Sequence, residues 1–201
     1  MWLRKDNRVR SINVMTANEE QAGPASIRRI MAAARFAAEK HAQQRRKGEN
    51  GEPYFNHLLE VAELITASSR DLDVELVMAA FLHDTVEDTG VTLAELEERF
   101  GKNVAALVAE VTDDKLLPKE MRKALQVQTS HKKSARAQTL KLADKISNLR
   151  AIVTSPPVGW NLERKQQYFE WARQVVSGIT APNAFLKAEF DNTYQLISLL
   201  K

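Results

Sequence analysis

Apolar residues recur every three or four positions through most of this chain, and this spacing constrains the fold more than any other feature of the sequence. The stretch ASIRRIMAAARFAAEKHAQQRR, at 25–46, places Ile27, Ile30, Ala34 and Ala38 along one side of a helix. No segment shows the strict alternation of apolar and polar residues that is typical of a half-buried strand. We therefore predict an all-α fold, a bundle of about nine to ten helices around one core.

Glycine, proline and capping residues separate the predicted helices. KGENGEP, at 47–53, is typical of a loop because it combines glycine with polar residues and ends in proline. Thr92 followed by Glu95 is a capping-box pattern, and Gly101 ends the helix that it opens. The other helices are predicted at 57–67, 74–86, 103–112, 119–129, 134–153, 161–179 and 183–200.

The charge distribution limits the kinds of molecule that the chain is expected to bind. The formal net charge of +3 arises within the first ten residues, so the rest of the 201-residue chain is neutral. A neutral domain argues against nucleic-acid binding by bulk electrostatics. No apolar run reaches the roughly 18 residues that a membrane span needs, and cysteine is absent, as is common in the reducing cytoplasm. We expect a cytoplasmic protein without nucleic-acid or membrane partners, with a flexible extension at 1–22 and one domain at 23–201.

Ionisable residues lie inside an otherwise apolar helical stretch, AAFLHDTVEDTG at 79–90. Positions four apart share one face of a helix, so His83 lies over Glu87 and Asp84 lies over Asp88. Burying charge is costly unless a partner neutralises it, and a divalent cation supplies the missing positive charge. This face is therefore a candidate metal site.

Matching ligands occur in two other predicted helices. His57 begins the helix that follows the aromatic pair Tyr54 and Phe55. Asp144 lies among apolar residues in LKLADKISNL, and Asn148 is one turn further along the same face. Imidazole and carboxylate ligands from separate helices suit Mn, Fe or Zn, and the spacing does not choose among these metals.

Four motifs in this order resemble a known family. RRKGENGEPYFNH, AAFLHDTVEDT, LVAEVTDDKLLPKEMRK and KLADKISNLRAI closely resemble the hydrolase domain of the RelA/SpoT proteins, a branch of the HD-domain phosphohydrolases with the signature H…HD…D. The similarity runs over about 24–195 and is strongest to the stand-alone small alarmone hydrolases, which include the metazoan SpoT homologues. It implies that 23–201 is an HD-domain helical bundle.

The resemblance also implies roles for individual residues. Glu87 and Asp88 correspond to the acidic pair that orients the attacking water and handles its proton. The turn at 113–115 is interpreted as a structural or gating element. The implied metal ligands, with Mn²⁺ the usual ion and other divalent metals possible, are His57, His83, Asp84 and Asp144. The implied substrate-binding residues are Arg46, Lys47, Asn148, Arg164 and Tyr168.

The function implied by the resemblance is hydrolysis of an alarmone nucleotide. The 3′-pyrophosphate of guanosine tetra- or pentaphosphate is removed, which gives GDP or GTP and pyrophosphate. Adenosine alarmones, and NADPH through loss of its 2′-phosphate, are alternative substrates for the same motifs, and an HD domain that binds nucleotide without catalysis is a third alternative. Because the resemblance is confined to the hydrolase domain, we expect no alarmone synthesis, and no motif specifies an oligomeric state.

Overall fold

The computed structural model describes residues 23–201, and the helices in this range confirm the all-α prediction. The extension predicted at 1–22 lies outside the described residues. Within 23–201 there are nine α-helices of eight residues or more, one single-turn α-helix and two short 3₁₀ helices, with no strand. The helices are α1 Pro24–Lys40, α2 Phe55–Ala67, α3 Val74–Leu82, α4 Thr85–Asp88, α5 Leu93–Phe100, α6 Lys102–Val111, α7 Lys119–Thr129, α8 Ala135–Thr154, α9 Leu162–Ser177 and α10 Ala184–Gln195.

The centre of the bundle is formed by α3 and α8. Every residue of α3 except Glu75 is buried, which is typical of a helix that is surrounded by others. α1, α2 and α6 pack against α3, while α2, α6 and α10 pack against α8. None of the helices in the described range is long and apolar enough to cross a membrane.

Side-chain caps fix where several helices begin. The side chain of Thr92 accepts a hydrogen bond from Glu95 N–H, as the capping pattern predicts, and α5 begins there. Asp73 caps α3 and Ser134 caps α8 in the same way. Each such cap contributes about 1 kcal/mol. The two central helices therefore start at defined positions, and one of them, α8, carries the predicted ligand Asp144.

The predicted first helix is too long. α1 ends at Lys40, and the ring of His41 is buried and stacks on Tyr54 with 5.0 Å between the ring centroids. Beyond it the chain is held by the returning loop, because Arg46 N–H donates to Glu52 O at 2.9 Å. Arg46 therefore does not lie at a solvated helix end. These contacts join residues on opposite sides of a loop, so periodicity within the helix did not reveal them.

The predicted helix at 74–86 is interrupted at the His83–Asp84 pair. His83 Nδ1 lies 2.8 Å from Ala80 O, and the hydroxyl of Thr85 donates to Leu82 O at 2.6 Å. Side chains thus engage carbonyls near the helix end, which α3 leaves without backbone partners. The chain turns at 83–84 and continues as the single turn α4. The interruption exposes the imidazole and the carboxylate to a common pocket.

Candidate metal centre

Three buried side chains from different helices converge on one point in the described part of the molecule. They are His57 in the first turn of α2, His83 at the end of α3 and Asp144 in the middle of α8. One potential ligand atom from each lies within 4.8 Å of the other two. This buried His–His–Asp group suggests a divalent metal site.

Asp84 faces the same pocket as these three residues. Its Oδ2 lies 3.1 Å from His83 Nε2 and 3.6 Å from His57 Nε2. The same oxygen accepts a hydrogen bond from the hydroxyl of Tyr54 at 2.6 Å, which fixes the orientation of the carboxylate. The structure therefore brings together all four ligands that the sequence predicted, together with a tyrosine to which the sequence analysis gave no role.

The ring of His83 is held in the tautomer that binds a metal through Nε2. Its Nδ1 lies 2.8 Å from Ala80 O, and because a carbonyl only accepts, Nδ1 must carry the proton. Among the described residues, no hydrogen-bond partner meets the buried Nε2. A buried imidazole nitrogen that faces carboxylates without a hydrogen bond of good geometry fits a metal ligand, because a bound cation can take the place of its proton.

His57 is held in the same way by a longer chain of hydrogen bonds. Its Nδ1 lies 2.8 Å from Ser147 Oγ, and this hydroxyl donates to Glu60 Oε2 at 2.6 Å. Since the serine proton goes to Glu60, Ser147 accepts the Nδ1 proton and the lone pair of Nε2 points to the pocket. Arg150 braces Glu60 in turn at 3.3 Å. No local pattern predicted this chain of hydrogen bonds, although Ser147 lies one turn from Asp144 on α8.

Loss of the Ser147 hydroxyl should weaken metal binding. We expect Ser147→Ala to lower the affinity for Mn²⁺ by about 10- to 100-fold, because Nδ1 loses the acceptor that orients the ring. Calorimetric titration of the metal-stripped protein measures this. Ser177→Ala is the matched control, since the one hydrogen bond of that hydroxyl in the described range goes to Arg173 O on α9. Equal affinity in the two variants would contradict the role of Ser147.

The pocket gathers negative charge that requires compensation. Burial acts to raise the pKa of both Asp84 and Asp144, but positive neighbours hold both pKa values well below the usual range. For Asp84 the main neighbour is His83, and for Asp144 it is Lys145, whose Nζ lies 2.8 Å from Oδ2. Burial lowers the pKa of His83, but Asp84 more than offsets this and raises it to about 9. The carboxylates therefore favour a positive charge in the pocket, whether a proton or a metal ion.

The predicted acidic pair follows the ligands directly on α4. Glu87 Oε1 accepts from Asp113 N–H at 2.7 Å. Asp88 accepts from Gln44 Nε2 at Oδ2 and from Lys115 Nζ at Oδ1, both at 2.9 Å. Both oxygens of Asp88 are thus engaged. Burial raises the pKa of Glu87, which makes its carboxylate a better proton acceptor.

Two of the predicted substrate-binding residues connect to the ligands. Asn148 Nδ2 donates to Asp144 Oδ1 at 2.6 Å, and its Oδ1 accepts from the Arg46 guanidinium at 3.1 Å. The guanidinium also lies 5.7 Å from the centroid of the Tyr54 ring. Arg46 is thereby held beside the metal pocket, with donors that can form a fork on a phosphate group.

Of the remaining predicted residues, Arg164 and Tyr168 lie on α9, and Lys47 lies in the loop between α1 and α2. Burial lowers the pKa of Lys119, and the positive charges of Arg164, Lys123 and Lys47 lower it further. Lys119 is thus within electrostatic range of these three cations, and the sequence analysis gave no role to Lys119 or Lys123. The ring of Tyr168 packs edge-on against another α9 aromatic ring at 5.1 Å. A convergence of cations of this kind suits a polyanionic ligand.

The loop that carries Lys47 is packed closely against the end of α8. A Cβ atom on Gly48 would lie 2.1 Å from Ser155 Oγ and 2.4 Å from its backbone oxygen. Ser155 Oγ donates to Glu52 at 3.2 Å, and Val158 N–H donates to Lys47 O at 2.9 Å. The loop predicted at 47–53 is thus held against the end of α8 on both sides of its turn.

Gly48→Ala should therefore destabilise the protein. We expect the free energy of unfolding to fall by about 1–3 kcal/mol, because the backbone oxygen of Ser155 cannot rotate away from the new methyl group. Urea denaturation measures the difference. Glu49→Ala changes the exposed neighbour in the same loop and should leave stability within about 0.5 kcal/mol of the original. Equal unfolding midpoints for both variants would refute the close approach.

Comparison with known proteins agrees with this geometry. A family model described as an HD domain matches residues 33–169, which is more than half of the chain. The chain belongs to the HD-domain family. The matched region of this HD domain contains all four predicted ligands and the acidic pair, and the family inferred from the four sequence motifs is confirmed.

Relatives of this HD domain cover most of its length. A human protein named guanosine-3′,5′-bis(diphosphate) 3′-pyrophosphohydrolase MESH1 is 48% identical over 166 residues, which are 83% of this chain and 93% of the relative. The relative of the same name from Xenopus tropicalis is 47% identical over 165 residues, 82% of this chain and 92% of the relative. The similarity therefore extends over nearly the whole of both relatives.

Two solved structures share the fold. One, described by the words "A metazoan ortholog of SpoT hydrolyzes ppGpp and plays a role in starvation responses", has a TM-score of 0.81 and 43% identity, and the match covers 86% of this chain and 97% of that one. The other, lmo0812 from Listeria monocytogenes EGD-e, has a TM-score of 0.58 and 30% identity over 73% of this chain and 98% of that one.

Proposed function

We propose that this HD-domain chain is a guanosine-3′,5′-bis(diphosphate) 3′-pyrophosphohydrolase. It removes the 3′-pyrophosphate from guanosine tetra- or pentaphosphate and releases GDP or GTP with pyrophosphate. The observation that carries the proposal is the buried His57, His83 and Asp144 group beside an acidic pair, in a chain 48% identical to a human relative of that name over most of both lengths. The alarmone is accordingly the proposed ligand.

The metal that we propose is Mn²⁺, held by His57, His83, Asp84 and Asp144. Two imidazoles and two carboxylates also suit Fe or Zn, so the choice of Mn²⁺ rests on the family resemblance. When bound, the ion offsets phosphate charge and lowers the pKa of a water molecule in the site. The fixed tautomers of both histidines and the free Nε2 of His83 support a metal at this position.

Glu87 is the proton acceptor in this proposal. The attacking water forms a bond to the phosphorus that carries the 3′ oxygen, and the bond from this phosphorus to the 3′ oxygen breaks. Glu87 takes the proton of the water through Oε2, since Oε1 is engaged by Asp113 N–H. The proton then neutralises the 3′ oxygen. Asp88 is held by Gln44 and Lys115, so it orients the site and does not exchange the proton.

The basic residues hold the charged ends of the nucleotide. Arg46, fixed by Asn148 beside the ligand Asp144, contacts the phosphates nearest the metal. Lys47 and Arg164 belong to the cluster of cations around Lys119 and contact the phosphates further away. We place Tyr168 at the wall of the same pocket. Polyanionic substrates need such distributed positive charge to offset their own repulsion.

A substrate panel tests this proposal. We would compare kcat/KM for guanosine tetraphosphate, the adenosine tetraphosphate analogue and NADPH, with Mn²⁺ present, and resolve the products by anion-exchange chromatography. The proposal requires GDP and pyrophosphate in equal amounts, with guanosine tetraphosphate as the preferred substrate. Preference for NADPH with release of inorganic phosphate would replace it with a 2′-phosphatase. Tight binding of the nucleotides without turnover of any of them would indicate a binding module.

A further inference from the structure

The acidic pair of the proposed active site is contacted by a turn that joins α6 to α7. Asp113 N–H donates to Glu87 Oε1 at 2.7 Å. Lys115 Nζ lies 2.9 Å from Asp88 Oδ1 and 3.7 Å from Glu87 Oε2. One ammonium group thus lies between two adjacent carboxylates, and it reaches them from a segment outside α4.

The turn that presents Lys115 is itself well defined. Asp114 Oδ1 accepts from Leu116 N–H at 2.9 Å, which closes the turn on itself. Asp113 Oδ2 accepts from Gln126 Nε2 on α7 at 2.6 Å, which ties the turn to the following helix. Lys115 therefore approaches the acidic pair from a fixed backbone position.

Lys115 is separate from the cations proposed to bind phosphate. The positive charges that act on Lys119 include Arg164, Lys123 and Lys47, whereas the charges that act on Lys115 include Asp88, Glu87 and Arg122. Burial lowers the pKa of Lys115, but its hydrogen bond to Asp88 and the negative charges of Asp88 and Glu87 together more than offset this and raise the pKa. The positive charge of Lys115 is thus stabilised by the two carboxylates that it contacts.

An exposed ion pair usually contributes little, and the Lys115 side chain is 47% exposed, but the two carboxylates that it contacts are more enclosed. The side chains of Glu87 and Asp88 are only 15% and 22% exposed, and the two carboxylates are consecutive in sequence. Two partly buried negative charges repel each other, and the shared ammonium group offsets that repulsion. Gln44 donates to Oδ2 of Asp88 at 2.9 Å, and Lys115 contacts Oδ1. Both oxygens of this carboxylate are therefore held in place.

We propose that Lys115 is a positioning residue for the reaction, which holds Asp88 fixed and keeps the adjacent Glu87 ionised and oriented to accept the proton. This inference rests on the proposed function. It assigns to the turn at 113–115 a definite task, because the turn supplies two of the donors that order the acidic pair. Lys115 acts through these carboxylates and does not contact the substrate.

Steady-state kinetics of Lys115 variants test the inference. We expect Lys115→Gln to lower kcat for guanosine tetraphosphate by about 10- to 100-fold, which corresponds to loss of a hydrogen bond to a charged group. KM, Mn²⁺ affinity and the melting temperature should stay close to those of the original chain. Lys115→Arg should recover most of kcat because it restores the charge. Leu116→Ala is the control, since that neighbouring side chain is 93% exposed.

A double-mutant cycle distinguishes positioning from direct contact. In an Asp88→Asn background, Lys115→Gln should lower kcat much less than it does in the original chain. The carboxylate through which Lys115 acts is already replaced by a neutral amide in that background. Equal losses in both backgrounds, or a rise in KM at unchanged kcat, would overturn the inference in favour of substrate contact. Unchanged kinetics for Lys115→Gln would overturn it outright. If the original chain itself lacked turnover in the same assay, the proposed function would fail, and not the role of Lys115 alone.

Discussion

Glu87→Gln should lower kcat for guanosine tetraphosphate by about 10²- to 10⁴-fold, which is the usual contribution of a general base. The amide keeps the size of the side chain, and its oxygen can still accept from Asp113 N–H. The variant therefore removes proton-accepting capacity without removing the contact that orients the group. Steady-state turnover at saturating substrate and Mn²⁺ measures the loss.

The Mn²⁺ affinity of this variant separates catalysis from metal binding. Because Glu87 is not among the proposed ligands, its replacement should change that affinity by less than the roughly 10-fold expected for a residue that contacts a ligand. Glu98→Gln makes the same chemical change on an exposed surface of α5 and should retain full activity. Full turnover by Glu87→Gln would move the base to Asp88 and contradict the division of roles described above.

Asp84→Asn should abolish metal-dependent turnover by removing a charged ligand. Its Oδ2 lies 3.1 Å and 3.6 Å from the Nε2 atoms of His83 and His57, so a neutral amide there deprives the cation of compensating charge. We expect Mn²⁺ affinity to fall by more than roughly 100-fold, which is the upper range for loss of a residue that only hydrogen-bonds to a metal ligand. Titration of the metal-stripped variant measures the affinity directly.

Thermal unfolding provides a second readout for the same variant. A metal present at 100 times its dissociation constant stabilises the folded state by about 2.7 kcal/mol, and Asp84→Asn should lose most of this gain. Asp191→Asn is a matched control, because within 23–201 that carboxylate pairs only with Lys187 on the surface of α10. Metal-induced stabilisation of equal size in both variants would remove Asp84 from the ligand set.

Local sequence patterns were sufficient to predict most helices and the residues that meet at the metal centre. Helical periodicity depends on residues that are close in sequence, and caps such as Thr92 act within one turn. Both can therefore be recognised without knowledge of tertiary contacts. His57, His83 and Asp144 were recognised because ionisable residues in apolar segments need a shared partner, and the family motifs linked them. That these three side chains lie close together was a prediction, and only the folded structure could test it.

The features that were missed depend on contacts between distant segments. The early end of α1 follows from the hydrogen bond between Arg46 and Glu52 across the loop. The hydrogen-bond chain from His57 to Glu60 passes through Ser147 on α8, 90 residues from His57. Lys115 reaches Asp88 across 27 residues. Nothing in the local spacing of these polar residues distinguishes them from ordinary surface positions, which explains why sequence patterns did not assign them.

The most direct test of the central claim is hydrolysis of guanosine tetraphosphate by metal-stripped protein in ¹⁸O-labelled water, before and after addition of Mn²⁺. We expect no turnover without metal. With Mn²⁺ we expect GDP and pyrophosphate in equal amounts, with one labelled oxygen in the pyrophosphate and none in the GDP. Turnover that persists without a divalent metal, or label in the ribose hydroxyl of GDP, would contradict metal-dependent attack at the 3′ phosphorus.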